Sequence, residues 1–391
     1  MSGNAVSIAL GSTNTCAVLE GGTGRCWGQG AYGILGFGQD NVGDNEYPAS
    51  TPAVPVGAPV SQLTVGEYHA CALLTTGAVR CWGQGNKGQL GYGNTTNLYA
   101  PPSKDVNLGG LRAIQIAAGD THTCALLEGG TVRCWGHAYV GSLGYPNNPG
   151  PFSDLLAPPL ADIDVGGKVV SIACGGDVSC AILDTGGLRC WGVGLLGRLG
   201  YGNENEIGDD ETPASVGDVP VGGKVVQVAI SFTHTCAVLD TGGVRCWGYA
   251  DLGELGYGNI ANNIGDNETP ASVGDVPLGG PAAMVAVGRW HSCALMVAGG
   301  VRCWGHALQG ELGYGNLTDI GDDETPASAG DVMIGGGAVT AIVAGDEHTC
   351  VLLAGGAIRC WGVGAFGRLG YGNEATIGDD DVPASAGVVP F

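Results

Sequence analysis

The chain has 391 residues, of which 75 are Gly, with 15 Lys and Arg against 37 Asp and Glu and a net charge of −22. The glycines follow no three-residue period and 44% of the residues are hydrophobic, which excludes collagen and general disorder. Seven of the 15 cations are one repeated Arg (Arg25, Arg80, Arg133, Arg189, Arg245, Arg302 and Arg359) and the rest are scattered, so no basic stripe exists for a nucleic-acid backbone or an anionic membrane surface.

From its first residues onward the chain is repeat. Met1 to Ile8 carry no charged n-region and no apolar h-region, and no apolar run anywhere is long enough to span a bilayer, so neither a leader nor membrane insertion is expected within this chain. Fourteen of the 15 cysteines fall in pairs with nine residues between: Cys16 with Cys26, Cys71 with Cys81, Cys124 with Cys134, Cys180 with Cys190, Cys236 with Cys246, Cys293 with Cys303 and Cys350 with Cys360. A Trp-Gly follows every second cysteine, from Trp27-Gly28 to Trp361-Gly362. Seven units of about 56 residues result, at approximately 5–58, 59–111, 112–167, 168–223, 224–280, 281–337 and 338–391, and we read 1–391 as one domain.

Within a unit the elements follow in a fixed order. In the third, a short strand runs from Ile114 to Gly119, a Gly-x-x-His loop leads to His122, and a hairpin carries Cys124 and Cys134. The two cysteines are equidistant from Gly129 and therefore face one another. Gly130, which recurs in all seven units, suits the left-handed position of a type I turn with a G1 bulge. A Trp-Gly loop and Gly-x-Leu-Gly come next, and a further strand around the Asp-Val-Pro segment completes a four-stranded blade. Seven such sheets around an axis make an all-β, seven-bladed β-propeller, in which both faces of each sheet are covered by neighbours and polar alternation disappears.

The sequence Ala-Ala-Gly-x-x-His-Thr-x-Ala-Leu, then Val-x-x-Trp-Gly, then Gly-x-Leu-Gly resembles the repeat of the regulator-of-chromosome-condensation family, over residues 5–391. The resemblance implies a seven-bladed propeller. It also implies a choice of functions: nucleotide exchange on a small GTPase with chromatin binding, light sensing, ubiquitin-ligase modules, and secreted inhibition of a β-lactamase. Fold alone does not choose among these.

Directly opposed residues of an antiparallel pair lie within disulfide range, so one cross-strand disulfide per blade is the reading adopted, with zinc ligation and buried reduced thiols as alternatives. The family unit does not need these cysteines, and their presence points to an oxidising compartment, extracellular or at the cell surface. Cys174, the odd one, stands where other units carry Ala118, Ile230, Val287 or Ala344, and reads as a free, buried thiol.

His69, His122, His234, His291 and His348 share one repeat position, filled by Asn14 and Val178 elsewhere. An active site is singular, so these are read as buried histidines bonding nearby backbone. The repeated Arg is read as pairing with loop carboxylates and the repeated Trp as buried area between blades. Five units carry an acidic segment such as Gly208-Asp209-Asp210-Glu211, a donor type that calcium takes, although the spacing is not that of a twelve-residue calcium loop. His137 and His306, with Asp251, Glu254 and Glu311 in similar loops, match no catalytic pattern. The chain is expected to be no enzyme and to need no cofactor and no metal, calcium at Asp209, Asp210, Glu211 and their repeats being the one alternative.

The Gly-x-x-His and Trp-Gly-x-x-x-x-Gly loops leave the same end of the hairpin, so their variable residues share one face. They are Tyr32, Tyr68, Tyr139, Leu195, Leu196, Phe232, Tyr249, Leu252, Arg289, Trp290, Leu308 and Phe366, a composition of interface hot spots. The expected role is a monomeric, protein-binding propeller without nucleic-acid or membrane partners. A GTPase exchange factor and a purely structural extracellular module are the alternatives. Units two and three also diverge, with Asn97–Pro102 and Pro146–Phe152 in place of the acidic segment.

Overall fold

Each repeat folds around its cysteine hairpin. Gly130 takes φ 88°, a left-handed conformation that a side chain would strain, and the chain reverses there. In the computed structural model, which describes residues 3–146, 154–259 and 263–391, the same reversal recurs in every unit. Blade 4 shows the pattern: an inner strand Val169–Gly175, a middle strand Val178–Leu183 and an outer strand Leu188–Gly192, all antiparallel and in that spatial order. Seven such sheets succeed one another to form the propeller. Inner strands from all blades line a central channel. Every middle strand is buried at every residue, because its two faces pack against neighbouring blades.

The fourth strand differs from expectation. Among the described residues one blade alone has a four-stranded sheet, through Asp154–Leu155 pairing with His137 and Gly136. Elsewhere the outer edge is met twice by separate segments. In blade 4 Ile207 bridges Gly192, and Val219 N–H donates to Leu188 O at 2.8 Å. Between these contacts a one-turn helix, Pro213–Val216, interrupts the strand. Proline at its first position suits a helix start, and Ser215 Oγ donates to Thr212 O at 2.7 Å. The Asp-Val-Pro segment thus reaches the sheet edge as expected, but as one contact of a divided strand.

The cysteines pair as their spacing predicts: Cys16 with Cys26, Cys71 with Cys81, Cys124 with Cys134, Cys180 with Cys190, Cys236 with Cys246, Cys293 with Cys303 and Cys350 with Cys360. Each pair is directly opposed, with Cα atoms 4.0–4.1 Å apart and sulfurs at 1.99–2.09 Å, which is bonding distance. All fourteen side chains are buried, so the disulfides lie inside the blades and present no sulfur to solvent. The seven repeated Trp side chains are 0–1% exposed. Burying about 200 Å² of indole contributes a gross ~5 kcal/mol at each blade junction.

The repeated histidines complete that junction, and their partner differs from the expected backbone. His122 Nε2 donates to Ser179 Oγ of the next blade at 2.8 Å, and Ser179 Oγ donates to Ser142 O at 3.1 Å, back on the histidine's own blade. His291, Thr349 and Glu311 O repeat the relay, and Trp361 Nε1 donates to the same carbonyl at 2.9 Å. Because the hydroxyl gives its proton to the carbonyl, the imidazole carries its proton on Nε2, and burial favours its neutral form. Burial holds His69, His234 and His291 near 3 and His122 near 4, in keeping with that form. Blade 1 lacks the histidine (Asn14), and the facing position in blade 2 lacks the hydroxyl (Ala70), so both halves of the relay are missing together.

The ring closes by the same means. His348 Nε2 meets Thr15 Oγ1 at 3.1 Å, and Thr15 Oγ1 donates to Arg368 O at 2.9 Å. Ala5–Leu10 belongs to the first blade, whereas Val389 N–H donates to Ile358 O in the last. The chain ends therefore lie in adjacent blades and do not share one, because each blade's three strands come from one contiguous stretch.

Candidate interaction face

Hydrogen bonds hold the two loop types side by side. In every blade the N–H after Trp-Gly donates to the carbonyl just before the histidine position, as His306 N to Trp290 O at 2.9 Å and Tyr249 N to Thr233 O at 3.1 Å. The hairpin register imposes this, since His291 pairs with Gly305 and His234 with Gly248.

The residues singled out from the sequence fall into two groups. Tyr249 meets Trp290 edge-on at 5.7 Å, and the Arg289 guanidinium lies 5.0 Å from the Phe232 ring and 5.6 Å from Trp290, forming one aromatic–cation cluster across blades 5 and 6. Tyr32 and Tyr68 meet edge-on at 5.2 Å across blades 1 and 2, and His137 stacks on Tyr139 at 5.9 Å. Leu195 and Leu308 are exposed, while Leu196 and Leu252 are half-buried and join no aromatic cluster. Phe366 lies 5.8 Å from the Arg368 guanidinium.

The outer loops come in two kinds. In blades 2, 5 and 6 a buried Gln89, Glu254 or Glu311 accepts from its own loop at Lys87, Leu252 or Gln309 N–H, at 2.7–2.8 Å. Blades 1, 3, 4 and 7 instead hold a non-glycine residue in the left-handed region: Tyr32, Val140, Leu196 and Phe366, at φ 38–61°. Such positions store of order 1–3 kcal/mol each and persist where surrounding structure enforces them. In blades 4 and 7 the enforcing contact is an N–H donated to Glu204 Oε1 or Glu374 Oε1 at 2.8 Å.

Phe232 and Arg289 also belong to a set whose other members escaped the sequence reading. The residue two before the histidine position is Ser12, Glu67, Asp120, Gly176, Phe232, Arg289 or Asp346, one per blade; five of them border the channel mouth, and Glu67 and Arg289 sit beside it, their N–H groups donating to Asp120 O and Asp346 O. Burial pushes the Asp120 carboxyl up to about 7, helped by the negative charges of Asp346, Asp177 and Glu67. Glu67, Asp177 and Asp346 are also raised, each chiefly by burial. Arg289 meets Asp346 at 3.8 Å. Aligning the repeats on the histidine and reading one column would have found this ring.

The other candidates are placed as follows. Cys174 is the one cysteine outside a disulfide; it lines the channel with Sγ 3.6 Å from Ser179 Oγ, and burial pushes its thiol up to about 12. His122, Cys124 and Cys174 offer donor atoms within 4.8 Å of one another, but Cys124 is bonded to Cys134. The acidic segments seat blades on one another: Gly208 takes φ 95° so tightly against blade 3 that a Cβ there would lie 2.6 Å from Gly141 O. Glu211 Oε1 accepts from Gly208 N–H at 3.3 Å, and the carboxylates of Asp209, Asp210 and Glu211 lie within 4.8 Å of one another, a grouping repeated at Asp322, Asp323 and Glu324. The repeated Arg pairs instead with the Asp of the Asp-Val segment, as Arg189 with Asp218 at 3.0 Å. His137 pairs with Asp154 at 2.7 Å and His306 with Asp319 at 3.2 Å, while Asp251 accepts from Tyr249 at 2.9 Å, so these groups do not converge. Of the divergent segment 146–152, Pro146 alone lies among the described residues. No helix is long and apolar enough to cross a membrane among the described residues.

The chain is 30% identical over 370 residues to the ultraviolet-B receptor UVR8 of Arabidopsis thaliana, covering 94% of this chain and 79% of that protein. It is 31% identical over 292 residues to human E3 ubiquitin-protein ligase HERC2, covering 74% of this chain and 6% of that protein. Among solved structures, human WBSCR16 superposes with a TM-score of 0.74 at 22% identity, covering 93% of each chain. Yeast RCC1 (Prp20), solved bound to Kap60, gives 0.72 at 19% identity, over 100% of this chain and 85% of that one. Sequence profiles of the Regulator of chromosome condensation (RCC1) repeat match residues 76–126 and, separately, 60–89, 113–141, 169–197, 225–254 and 339–368. With every blade built on the same hairpin and a relative of this identity spanning nearly the whole ring, the chain belongs to the RCC1 repeat family.

Proposed function

We propose that this chain is a non-catalytic, protein-binding propeller that works outside the reducing cytosol and engages its partner through the loop face. The observation that carries this reading is the cluster of Tyr249, Phe232, Arg289 and Trp290. Large aromatic side chains and Arg stand partly exposed there, where the Trp that every blade repeats is buried. The strained loops at Leu196 and Phe366 support it, since such backbone tends to mark functional positions. Seven disulfides buried at the centre of the blades support an oxidising setting, extracellular or at a cell surface. The relatives named above include a receptor and a ligase, so the shared propeller leaves the partner open.

The test is affinity capture from the native organism's extract and medium, with wild type beside a Phe232→Ala, Trp290→Ala, Phe366→Ala variant shown to be folded. A protein held by wild type and released by the variant is the expected result. Equal retention by both removes this face from consideration.

A further inference from the structure

The ring at the channel mouth is out of electrical balance. Among its seven residues Glu67, Asp120 and Asp346 are acids and Arg289 is the one cation. Arg289 is already committed, 3.8 Å from Asp346 and stacked at 5.0 Å on Phe232. Asp120 is half-buried, and its carboxyl, desolvated by the surrounding protein, has no hydrogen-bond or ion-pair partner among the described residues. It faces the cavity shared by all seven blades, about 80 Å³ in volume and open to solvent, bordered also by Ser12, Phe232 and Asp346. A desolvated acid among like charges opposes folding, and a cation in the mouth would relieve that opposition.

The spacing selects the kind of cation. Carboxylate oxygens within 4.8 Å of one another occur in the outer acidic segments, such as Asp322, Asp323 and Glu324, and the mouth carboxylates are not among such groups in the described residues. Acids spread around a ring do not cage a small ion. They suit an ammonium or guanidinium, and the Phe232 ring beside them is an apolar wall for its aliphatic stem.

We propose that the channel mouth receives a lysine or arginine side chain of the protein partner, its charge held by Asp120 and Asp346 and its stem lying along Phe232. This rests on the loop face being the binding face and names what the partner inserts there.

The probe is tetralysine amide, titrated into the whole chain at low salt by calorimetry and by Trp290 fluorescence, beside its Nε-acetylated form. The expected result is binding of the charged peptide alone, weakened roughly tenfold in an Asp120→Asn, Asp346→Asn variant, the loss equivalent to about 1.4 kcal/mol. Circular dichroism establishes that the variant is folded, and Glu67→Gln provides a second, more peripheral change expected to weaken binding in the same direction. No binding, or equal binding by the acetylated peptide or the Asn variant, overturns the proposal. Captured partner separates the two readings. A partner lost from the aromatic variant yet kept by the Asn variant leaves the face standing and overturns the mouth. Loss from both variants supports both readings, and retention by both overturns both.

Discussion

Trp304 and Trp290 belong to one blade and live under different rules. Trp304 is fully buried, donates to Glu254 O at 2.9 Å, and fills a position that is Trp in all seven repeats. Trp290 is partly exposed, rests edge-on against Tyr249, and replaces Thr13, Tyr68, Thr121, Asp177, Thr233 and Glu347 of the other repeats. A seam between blades must be made seven times, so its parts repeat. A face that meets a partner is met once, so its parts are free to differ. Repetition inside one chain therefore separates architecture from candidate function.

The largest test of this contrast is a pair of truncations. Trp304→Ala is expected to cost about 3–5 kcal/mol by chemical denaturation, from lost burial and a cavity at the junction. Trp290→Ala is expected to cost less than about 1 kcal/mol. Equal costs would erase the distinction between seam and face.

Acid provides the next test. Burial holds His291 near 3, so the native state resists the proton that an unfolded histidine takes at about 6.5. The stability contributed by that neutral imidazole is present above about 6.5 and is lost as pH falls below it, by ~1.4 kcal/mol per pH unit. Asp120 has the opposite sign: its carboxyl is raised to about 7, so the native state takes up a proton first and gains stability as pH falls through that value. His291→Asn, imitating Asn14, is expected to narrow the stability difference between pH 7.5 and 5.5 by about 1 kcal/mol. Asp120→Asn is expected to widen it. Denaturation curves at the two pH values decide, and a histidine variant with an unchanged difference would show that the seam does not titrate as argued.

The smallest effect concerns the seam's own irregularity. Five repeated Arg side chains meet an Asp at 2.6–3.0 Å, but Arg25 and Arg359 face Ala53 and Val388 at the equivalent place. Val388→Asp supplies the missing carboxylate and is expected to raise stability by about 0.5 kcal/mol, read from the denaturation midpoint. A lower midpoint would mean that the pair does not explain why Asp recurs there.

Much of the fold is legible from residues alone because the repeat supplies its own comparison. The cysteine spacing around Gly129 predicts the hairpin register, and Cys124 indeed pairs with Cys134. Gly130 predicts the turn. The divided fourth strand is less legible, since Thr-Pro-Ala-Ser reads as loop, whereas it folds as a single helical turn packed against the outer strand. The face residues are visible as variable loop positions, but their grouping is not. Phe232, Tyr249 and Trp290 are distant in sequence and meet because blades 5 and 6 are adjacent.

Local periodicity and covalent geometry act within one repeat, so blade count, hairpin register, turn position and the shortage of cations were all determined by the sequence itself. Contacts between repeats depend on distances that spacing does not encode. Tertiary structure alone paired each repeat-position His with the next blade's hydroxyl, placed the chain ends in neighbouring blades, and gathered acids from blades 2, 3 and 7 at one mouth. Closing the ring brings far-separated residues within a few ångströms, where burial and like charge reset their chemistry.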